Sequence, residues 1–359
     1  MLRVSFVGCG AMAAQYLGVY RDLEWVRVVS CVSGTEESAR RAAATFGGEK
    51  PVATTDFAAA LAPDVDAVVI NTPNSAHAGQ AIAAIHAGKH VLLQKPIAAR
   101  LADAEAIARA AAQSDRTIGV YMSYFDQPLM HSIRGMIEAG NLGHIVHLYA
   151  RLMHRGGLMW SDEALAGKPT WRGSVAETGG GCFIQLAVHF IRTFEWMTGS
   201  QVTAVTGMSN RLQSPGIEGE DIACAVLRLD SGALITLDMA WCADGEEIAV
   251  HGTHGRIHYR ANRWLSVSSR KSKTTVEVFG GPIGAEELSE VIPPLVGDAS
   301  NPLNQHRVFL EAARDGLPAY VSIEDGLHDM RVVEAVYESA RTGRVVEIRD
   351  SSQARQSHS

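Results

Sequence analysis

Paired cysteines are missing from this 359-residue sequence. Cys9, Cys31, Cys182, Cys224 and Cys242 are odd in number and contain no C-x-x-C spacing. That pattern speaks against a disulfide framework and against a zinc site. Reduced thiols, as in a cytoplasmic protein, are the expectation. Excess positive charge is missing as well. The net charge is −7, so the basic face that nucleic-acid binding requires is not expected. No apolar run reaches the ~18 residues of a membrane span. The start of the chain resembles a secretion signal only in outline, because Gly8 and Gly10 interrupt it. There is no internal repeat and no low-complexity linker. What remains is ordinary globular composition, 47% hydrophobic and 20% charged. The length exceeds one small core and suits two domains.

The stretch Arg3 to Ala13, RVSFVGCGAMA, organises the first of these. A short apolar run of strand type, Val4 to Val7, leads into Gly8, Gly10 and Ala13 at G-x-G-x-x-A spacing, and a helical pattern follows to about Leu23. Such a strand–turn–helix presents free backbone N–H groups at one point. Gly8 permits the tight turn, Gly10 lets a pyrophosphate approach the backbone, and Ala13 lets helix and strand pack closely. Val26 to Val32 is a second strand. Roughly 20 residues past the turn, an Asp or Glu would bind the ribose 2′-hydroxyl of NAD. Ser33 and Thr35 stand there instead, with Arg40 and Arg41 following. This tilts the expectation toward NADP without excluding NAD.

Further strands are expected at 66–71, 90–94 and 117–121, and helices at 35–46, 75–87 and 101–113. Their alternation implies a doubly wound parallel sheet. The strand DAVVIN ends in the polar turn Asn71-Thr72-Pro73-Asn74, and HVLLQ ends in Lys95-Pro96. Both sit where open parallel sheets bind ligands. A Lys at such an edge can donate to a substrate hydroxyl and stabilise a developing alkoxide. Further on, Gln185 and His189 are four apart and share a helix face. Imidazole has the unperturbed pKa to move a proton near neutrality. Gly179 to Gly181 are expected to leave room at that helix start for a flat ring.

GCGAMA at the start, NTPNSAH at 71–77, AGKHVLLQKP at 87–96, GGGCFIQLAVHFI at 179–191 and the tail from Asn304 resemble the Gfo/Idh/MocA family, nearly over the full length. The resemblance implies an N-terminal Rossmann domain, here 1–122. It also implies a C-terminal α/β domain, here 123–359, with a large mostly antiparallel sheet that often forms an oligomer interface. It implies an NAD(P)-dependent oxidoreductase acting on a sugar, sugar derivative or cyclitol, as a homodimer or homotetramer. Lys95 matches the family's Lys of E-K-P, with Gln94 in place of the Glu. His189 matches the family's His, with Gln185 in place of the Asp. Gln cannot titrate, though its amide can orient a hydroxyl; Tyr124 and His154 are therefore alternative proton acceptors.

The cofactor-binding residues are expected to be Gly8, Gly10, Ala11, Met12, Ser33, Thr35, Asn71, Thr72, Pro73, Asn74, His77, Gln94 and Lys95. Catalytic roles fall to Lys95, His189 and Gln185, and substrate contacts to Tyr124, His154, Trp171 and Arg172. Lys95 and the nicotinamide supply the electrophilic help, so no metal is expected. The rival reading is a cofactor-binding regulatory protein of the same fold without turnover. In the second domain a helix is expected from Tyr124 to Ala139 and a strand at 144–153. An irregular loop with Trp160 and Asp162 follows. A meander occupies 202–279, a loop holds Pro293-Pro294 and Gly297, and helices follow at 302–315 and 324–342.

Overall fold

The structure, a computed structural model, describes residues 1–46, 50–155, 170–212, 214, 216–260, 264–269, 274–279 and 304–348. The loop residues Trp160 and Asp162, the loop residues Pro293-Pro294 and Gly297, and the first residues of the helix expected from 302 lie outside them. Among the described residues the helices are α1 (Ala11–Ala14), α2 (Leu17–Asp22), α3 (Glu36–Ala43), α4 (Asn74–His86), α5 (Leu101–Ala111), α6 (Pro128–Glu138), α7 (Val175–Thr178), α8 (Cys182–Thr198), α9 (Gln305–Asp315) and α10 (Ile323–Thr342). None is long and apolar enough to cross a membrane. The chain forms two compact units. The first holds 1–123, 176–179 and 304–330; the second holds the described residues of 124–175, 180–303 and 331–359.

In the first unit, β1 (Leu2–Val7), β2 (Val26–Val32), β3 (Val52–Thr54), β4 (Ala67–Ile70), β5 (His90–Gln94) and β6 (Ile118–Tyr121) pair in the order β3-β2-β1-β4-β5-β6. Every pair is parallel. β4, β5 and β6 are buried at every residue, which is why their sequences are almost continuously apolar. The order reverses beside β1, so the carboxyl ends of β1 and β4 border the ligand crevice of a doubly wound sheet. The helix expected through Leu23 is two short ones, interrupted at Gln15-Tyr16. Tyr16 leaves the helical region of backbone space and stacks its ring on His306 at 4.0 Å. The core around Val4, Phe6, Val28, Val69 and Leu92 also takes in Phe309 and Leu310 of α9.

The second unit holds a nine-stranded sheet. Its strands are β7 (Ile145–Met153), β8 (Val202–Asn210), β9 (Ile222–Leu229), β10 (Leu234–Ala240), β11 (Gly245–Gly252), β12 (Gly255–Arg260), β13 (Trp264–Ser269), β14 (Thr274–Phe279) and β15 (Val346–Glu347). The order is β14-β13-β12-β11-β7-β10-β9-β8-β15. All pairs are antiparallel except β7 with β10. The expected meander is thus interrupted: β7 lies between β10 and β11, its Ala150 opposite Leu237 and Ile248. The long connection from β7 to β8 carries α8 and gives the chain room to start again beyond β7's neighbour. Strand β9 alternates buried and exposed residues, so one sheet face is covered. Helix α8 provides cover, packing on β7, β9, β10 and α6. Fourteen of its seventeen residues are buried, which makes it the core helix of this unit. The helix expected from Tyr124 starts instead at Pro128, a residue suited to the first helical position. A short 3₁₀ turn, Ser123–Asp126, precedes it.

Candidate active site

The two glycines of the opening turn differ in kind. Gly8 has φ +88°, and a Cβ there would lie 2.6 Å from the Asn71 carbonyl carbon and 2.7 Å from the Thr72 nitrogen. Glycine is required at this position by the protein itself, because the end of β4 runs directly alongside. Gly10 has no such neighbour: a Cβ there meets nothing within 4 Å. Packing therefore does not explain Gly10, and open space stands over the first turn of α1. The Gly10 carbonyl accepts from the Ala14 nitrogen at 3.3 Å. The first N–H groups of α1, those of Ala11 and Met12 among them, precede that bond and have no helical acceptor. Ala11 is exposed, Met12 half-buried and Ala13 buried against the core. This is a cradle in which a pyrophosphate fits and which a side chain at residue 10 would fill. Helix α1 is only one turn long, so its dipole adds little and the N–H groups carry the fit.

The second wall is the turn after β4. The Asn71 N–H donates to the Val7 carbonyl at 2.7 Å, and Asn71 Oδ1 accepts from Tyr16 Oη at 2.6 Å. Thr72 Oγ1 donates to Gln80 Oε1 at 2.6 Å. Asn71, Thr72 and Pro73 are half-buried. Asn74 is 4% exposed, and its amide donates to the Thr178 carbonyl at 2.9 Å. His77 differs from the expected cofactor contact. It is wholly buried, with Nδ1 3.0 Å from the Pro96 carbonyl oxygen and Nε2 2.9 Å from that of Thr72. It lies between the turn after β4 and the turn after β5 and, neutral, donates its single N–H to one of the two carbonyls. Burial lowers its pKa to about 4, against the backbone bonds that favour its charged form.

Gln94 and Lys95 end β5. The Gln94 amide donates to Tyr16 Oη at 3.3 Å, and its Oε1 accepts from the Lys95 N–H at 3.0 Å. Lys95 is half-buried, and the Lys95–Pro96 peptide is cis. Behind Gln94 lies an aromatic cluster. Tyr16, Tyr20 and Tyr121 surround His306, whose Nδ1 is 2.7 Å from Tyr20 Oη. Burial lowers the His306 pKa to about 3 and raises the Tyr16 phenol. The cluster keeps neutral polar groups, not charges, under the end of β5.

At the end of β2 the Ser33 N–H donates to the Thr54 carbonyl at 3.1 Å. Thr35 caps α3, its Oγ1 accepting from the Ser38 N–H at 3.3 Å. Arg40 pairs with Glu36 and Arg41 with Glu37, all four exposed on α3. The two arginines expected beside the ribose thus already hold acidic partners, though exposed pairs of this kind are weak.

In the second unit the site is built on α8. Glycines 179–181 do not leave room for a flat ring. A Cβ on Gly179 would overlap the Ala99 carbonyl oxygen, one on Gly180 Tyr337 Oη, and one on Gly181 the Glu220 carbonyl oxygen. Gly179 is a glycine because Ala99 of the first unit, to which it belongs, packs on it, and Gly180 and Gly181 because Tyr337 and Glu220 pack on the start of the helix. Glu220 caps it, Oε2 accepting from the Gly181 N–H at 2.9 Å and Oε1 from the Phe183 N–H at 2.8 Å. Tyr337 Oη also donates to Glu220 Oε1 at 2.9 Å. A carboxylate at a helix N-terminus is favourable, and this one fixes the helix that carries Gln185 and His189. Neither Glu220 nor Tyr337 is foreseen from the sequence, since both act from more than thirty residues away.

Gln185 is half-buried and His189 is 7% exposed, one turn apart on α8. The Tyr124 ring packs on the His189 ring, centroids 5.0 Å apart. Burial pushes the Tyr124 phenol well up, with Glu246 adding to the shift, so Tyr124 is a poor proton acceptor. Arg172 lies over the Trp171 ring at 4.3 Å, and burial lowers its pKa to about 10. That short turn docks through the Gly173 carbonyl, which accepts from the Glu218 N–H at 2.8 Å. His154 is half-buried just after β7, its N–H donating to the Ala240 carbonyl at 3.0 Å. Among the described residues no group of His, Cys, Asp and Glu is arranged to hold a metal.

Comparison with known proteins agrees with this architecture. Residues 2–122 match the family described as "Oxidoreductase family, NAD-binding Rossmann fold", and 134–348 its companion, "Oxidoreductase family, C-terminal alpha/beta domain". The chain is 25% identical over 353 residues to a D-apiose dehydrogenase of Paraburkholderia graminis, covering 96% of this chain and 89% of that protein. It is 27% identical over 385 residues to a levoglucosan dehydrogenase of Pseudarthrobacter phenanthrenivorans, covering 94% and 96%. A solved levoglucosan dehydrogenase in complex with NADH and levoglucosan superposes with a TM-score of 0.79 at 25% identity, covering 97% of this chain and 99% of that one. With both matched regions in order along nearly the whole sequence, the chain belongs to the Gfo/Idh/MocA family of oxidoreductases.

Proposed function

We propose that this chain is an NAD(P)-dependent oxidoreductase for the CH–OH group of a sugar, sugar derivative or cyclitol. The observation that carries the reading is the contrast at the opening turn. Gly8 is demanded by the protein, whereas Gly10 is explained by a ligand. The names of the relatives, D-apiose dehydrogenase, 1,5-anhydro-D-fructose reductase and levoglucosan dehydrogenase, support the substrate class.

In this reading residues 1–122 hold the dinucleotide and 123–359 supply the substrate side. A nicotinamide held there would supply the hydride acceptor for oxidation and the hydride donor for reduction. Gly8, Gly10, Ala11 and Met12 receive the pyrophosphate, and Asn71, Thr72 and Pro73 form the opposing wall. Asn74, His77 and Gln94 hold that wall and the base of Lys95 in place. Ser33 and Thr35 meet the adenosine ribose and accommodate a 2′-phosphate, which gives NADP a slight preference once Arg40 swings from Glu36. Lys95 donates to the reacting oxygen as negative charge develops on it. His189 takes the hydroxyl proton in oxidation and returns it in reduction. Gln185 orients the substrate through its amide, and Tyr124, His154, Trp171 and Arg172 line its approach. Val226 and Leu234 stay exposed on the sheet of the second unit, which suits association into a homodimer or homotetramer through that face.

The test pairs Lys95→Ala and His189→Asn with wild type, using levoglucosan, D-apiose and myo-inositol as probes with each cofactor. Either substitution is expected to lower kcat/KM by about a hundredfold or more while cofactor binding by fluorescence persists. Cofactor binding by wild type without turnover of any polyol or sugar would favour the regulatory reading instead.

A further inference from the structure

Strand β11 carries two successive glutamates that its alternation sends to opposite faces. Glu247 lies with Arg151, Arg260 and His258. Burial opposes ionisation of Glu247, but the His258 bond and the neighbouring Arg260 and Arg151 together hold its carboxyl below the usual range. Glu246 is in step with the wholly buried Ile248 and Val250, on the covered face of the sheet. There Tyr124 Oη donates to Glu246 Oε1 at 3.3 Å. The ring of the same Tyr124 packs on His189. A carboxylate from β11, a phenol from the 123–126 turn and an imidazole from α8 thus form one continuous cluster within the second unit.

An imidazole that gains a proton in so buried a place needs a compensating negative charge nearby. One turn back on its own helix stands Gln185, whose amide cannot supply one. We propose that Glu246, seated by Tyr124, is the carboxylate that stabilises protonated His189, doing from β11 what a carboxylate at residue 185 would do from α8. The inference rests on His189 being the proton acceptor of the reaction. Glu246 acts as a positioning and charge-setting residue and touches no reacting atom. Burial raises its own carboxyl above the usual range, and the bond from Tyr124 opposes part of that rise.

Among the described residues, Tyr259, Arg192, Glu195 and Glu247 also lie around the cluster. Tyr124 and, across the ladder on β12, Tyr259 are both phenols pushed upward by burial and so remain neutral. One turn further along α8, Arg192 and Glu195 pair with each other at 3.0 Å. Glu247 is on the other face with its own cations.

The test is an NMR titration of the His189 imidazole in the full-length chain labelled at histidine, with His189→Asn identifying the resonance among the fourteen histidines. Glu246→Gln is expected to lower the His189 pKa by about one unit, the scale of a removed charge at partly buried range. Tyr124→Phe keeps the ring and removes the hydroxyl bond, and is expected to lower it by roughly half a unit. Adding Gln185→Asp to Glu246→Gln is expected to bring the pKa back up. The basic limb of the kcat/KM pH profile on levoglucosan or another turned-over polyol moves in step. An unmoved His189 pKa in Glu246→Gln overturns the proposal. Should that variant not fold, an unmoved pKa in Tyr124→Phe overturns it. Absence of turnover on every polyol defeats the proposed function and leaves this titration readable on its own terms.

Discussion

Substituting the two turn glycines separately divides structure from ligand binding. Gly8→Ala places a Cβ 2.6–2.7 Å from backbone atoms of Asn71 and Thr72 at φ +88°. Left-handed backbone with a side chain costs about 1–2 kcal/mol, and overpacking against fixed neighbours adds about 1–3 kcal/mol. A loss of about 2–5 kcal/mol in the first unit corresponds to a melting temperature lower by roughly 5–15 °C. Gly10→Val meets nothing in the protein within 4 Å, so its stability is expected to stay within about 1 kcal/mol of wild type. Its side chain occupies the pyrophosphate position, and cofactor affinity is expected to fall by about a hundredfold or more. Differential scanning calorimetry gives the first quantity and a reduced-cofactor fluorescence titration the second. The reasoning is refuted if Gly10→Val binds cofactor like wild type, or if it unfolds as early as Gly8→Ala.

Acid should weaken the first unit through His77 and His306. Both are neutral in the fold, with pKa values lowered mainly by burial to about 4 and about 3. The unfolded chain therefore binds more protons below its ordinary histidine pKa of about 6.5, so stability is full above that pH and is lost as pH falls toward 3–4. The loss is roughly 3–5 kcal/mol per site when complete, and His306→Gln is expected to flatten the pH dependence of the melting temperature. Glu220→Gln keeps the shape of the α8 cap and removes its charge. It is expected to destabilise by about 1–2 kcal/mol in urea unfolding and to lower kcat more than it raises KM. Glu36→Gln frees Arg40, and NADP(H) is expected to bind a few-fold tighter by fluorescence while NAD(H) is unchanged.

Much of the first unit was legible because each of its signals is local. The turn at Gly8 and Gly10, the buried runs 67–70 and 90–94 and the proline after Lys95 are all read within a few residues. The strands of the second unit were legible for the same reason, since burial alternates cleanly along segments such as Ile222–Leu229. Pairing was not legible: nothing near Ile145–Met153 announces that this strand sits between β10 and β11. Long-range partners were hidden in the same way. His306 joins Tyr16 and Tyr20 across some 286 residues, and Glu220 caps a helix that begins at Cys182. Glycines 179–181 were misread because a missing side chain looks the same in sequence whether a ligand or the protein fills its place. Glu246 escaped notice beside Glu247, as only the strand's register separates a carboxylate facing the covered side from one among arginines.

Hydride transfer from the carbinol carbon to nicotinamide is the central step of the proposed function. The most direct measurement uses levoglucosan, D-apiose or myo-inositol deuterated at the reacting carbinol carbon, with oxidised cofactor and mass spectrometry of the nicotinamide product. Reduced cofactor carrying the deuterium, formed by wild type and not by Lys95→Ala, is the predicted result. Reduced cofactor without deuterium, or equal labelling from Lys95→Ala, would contradict it.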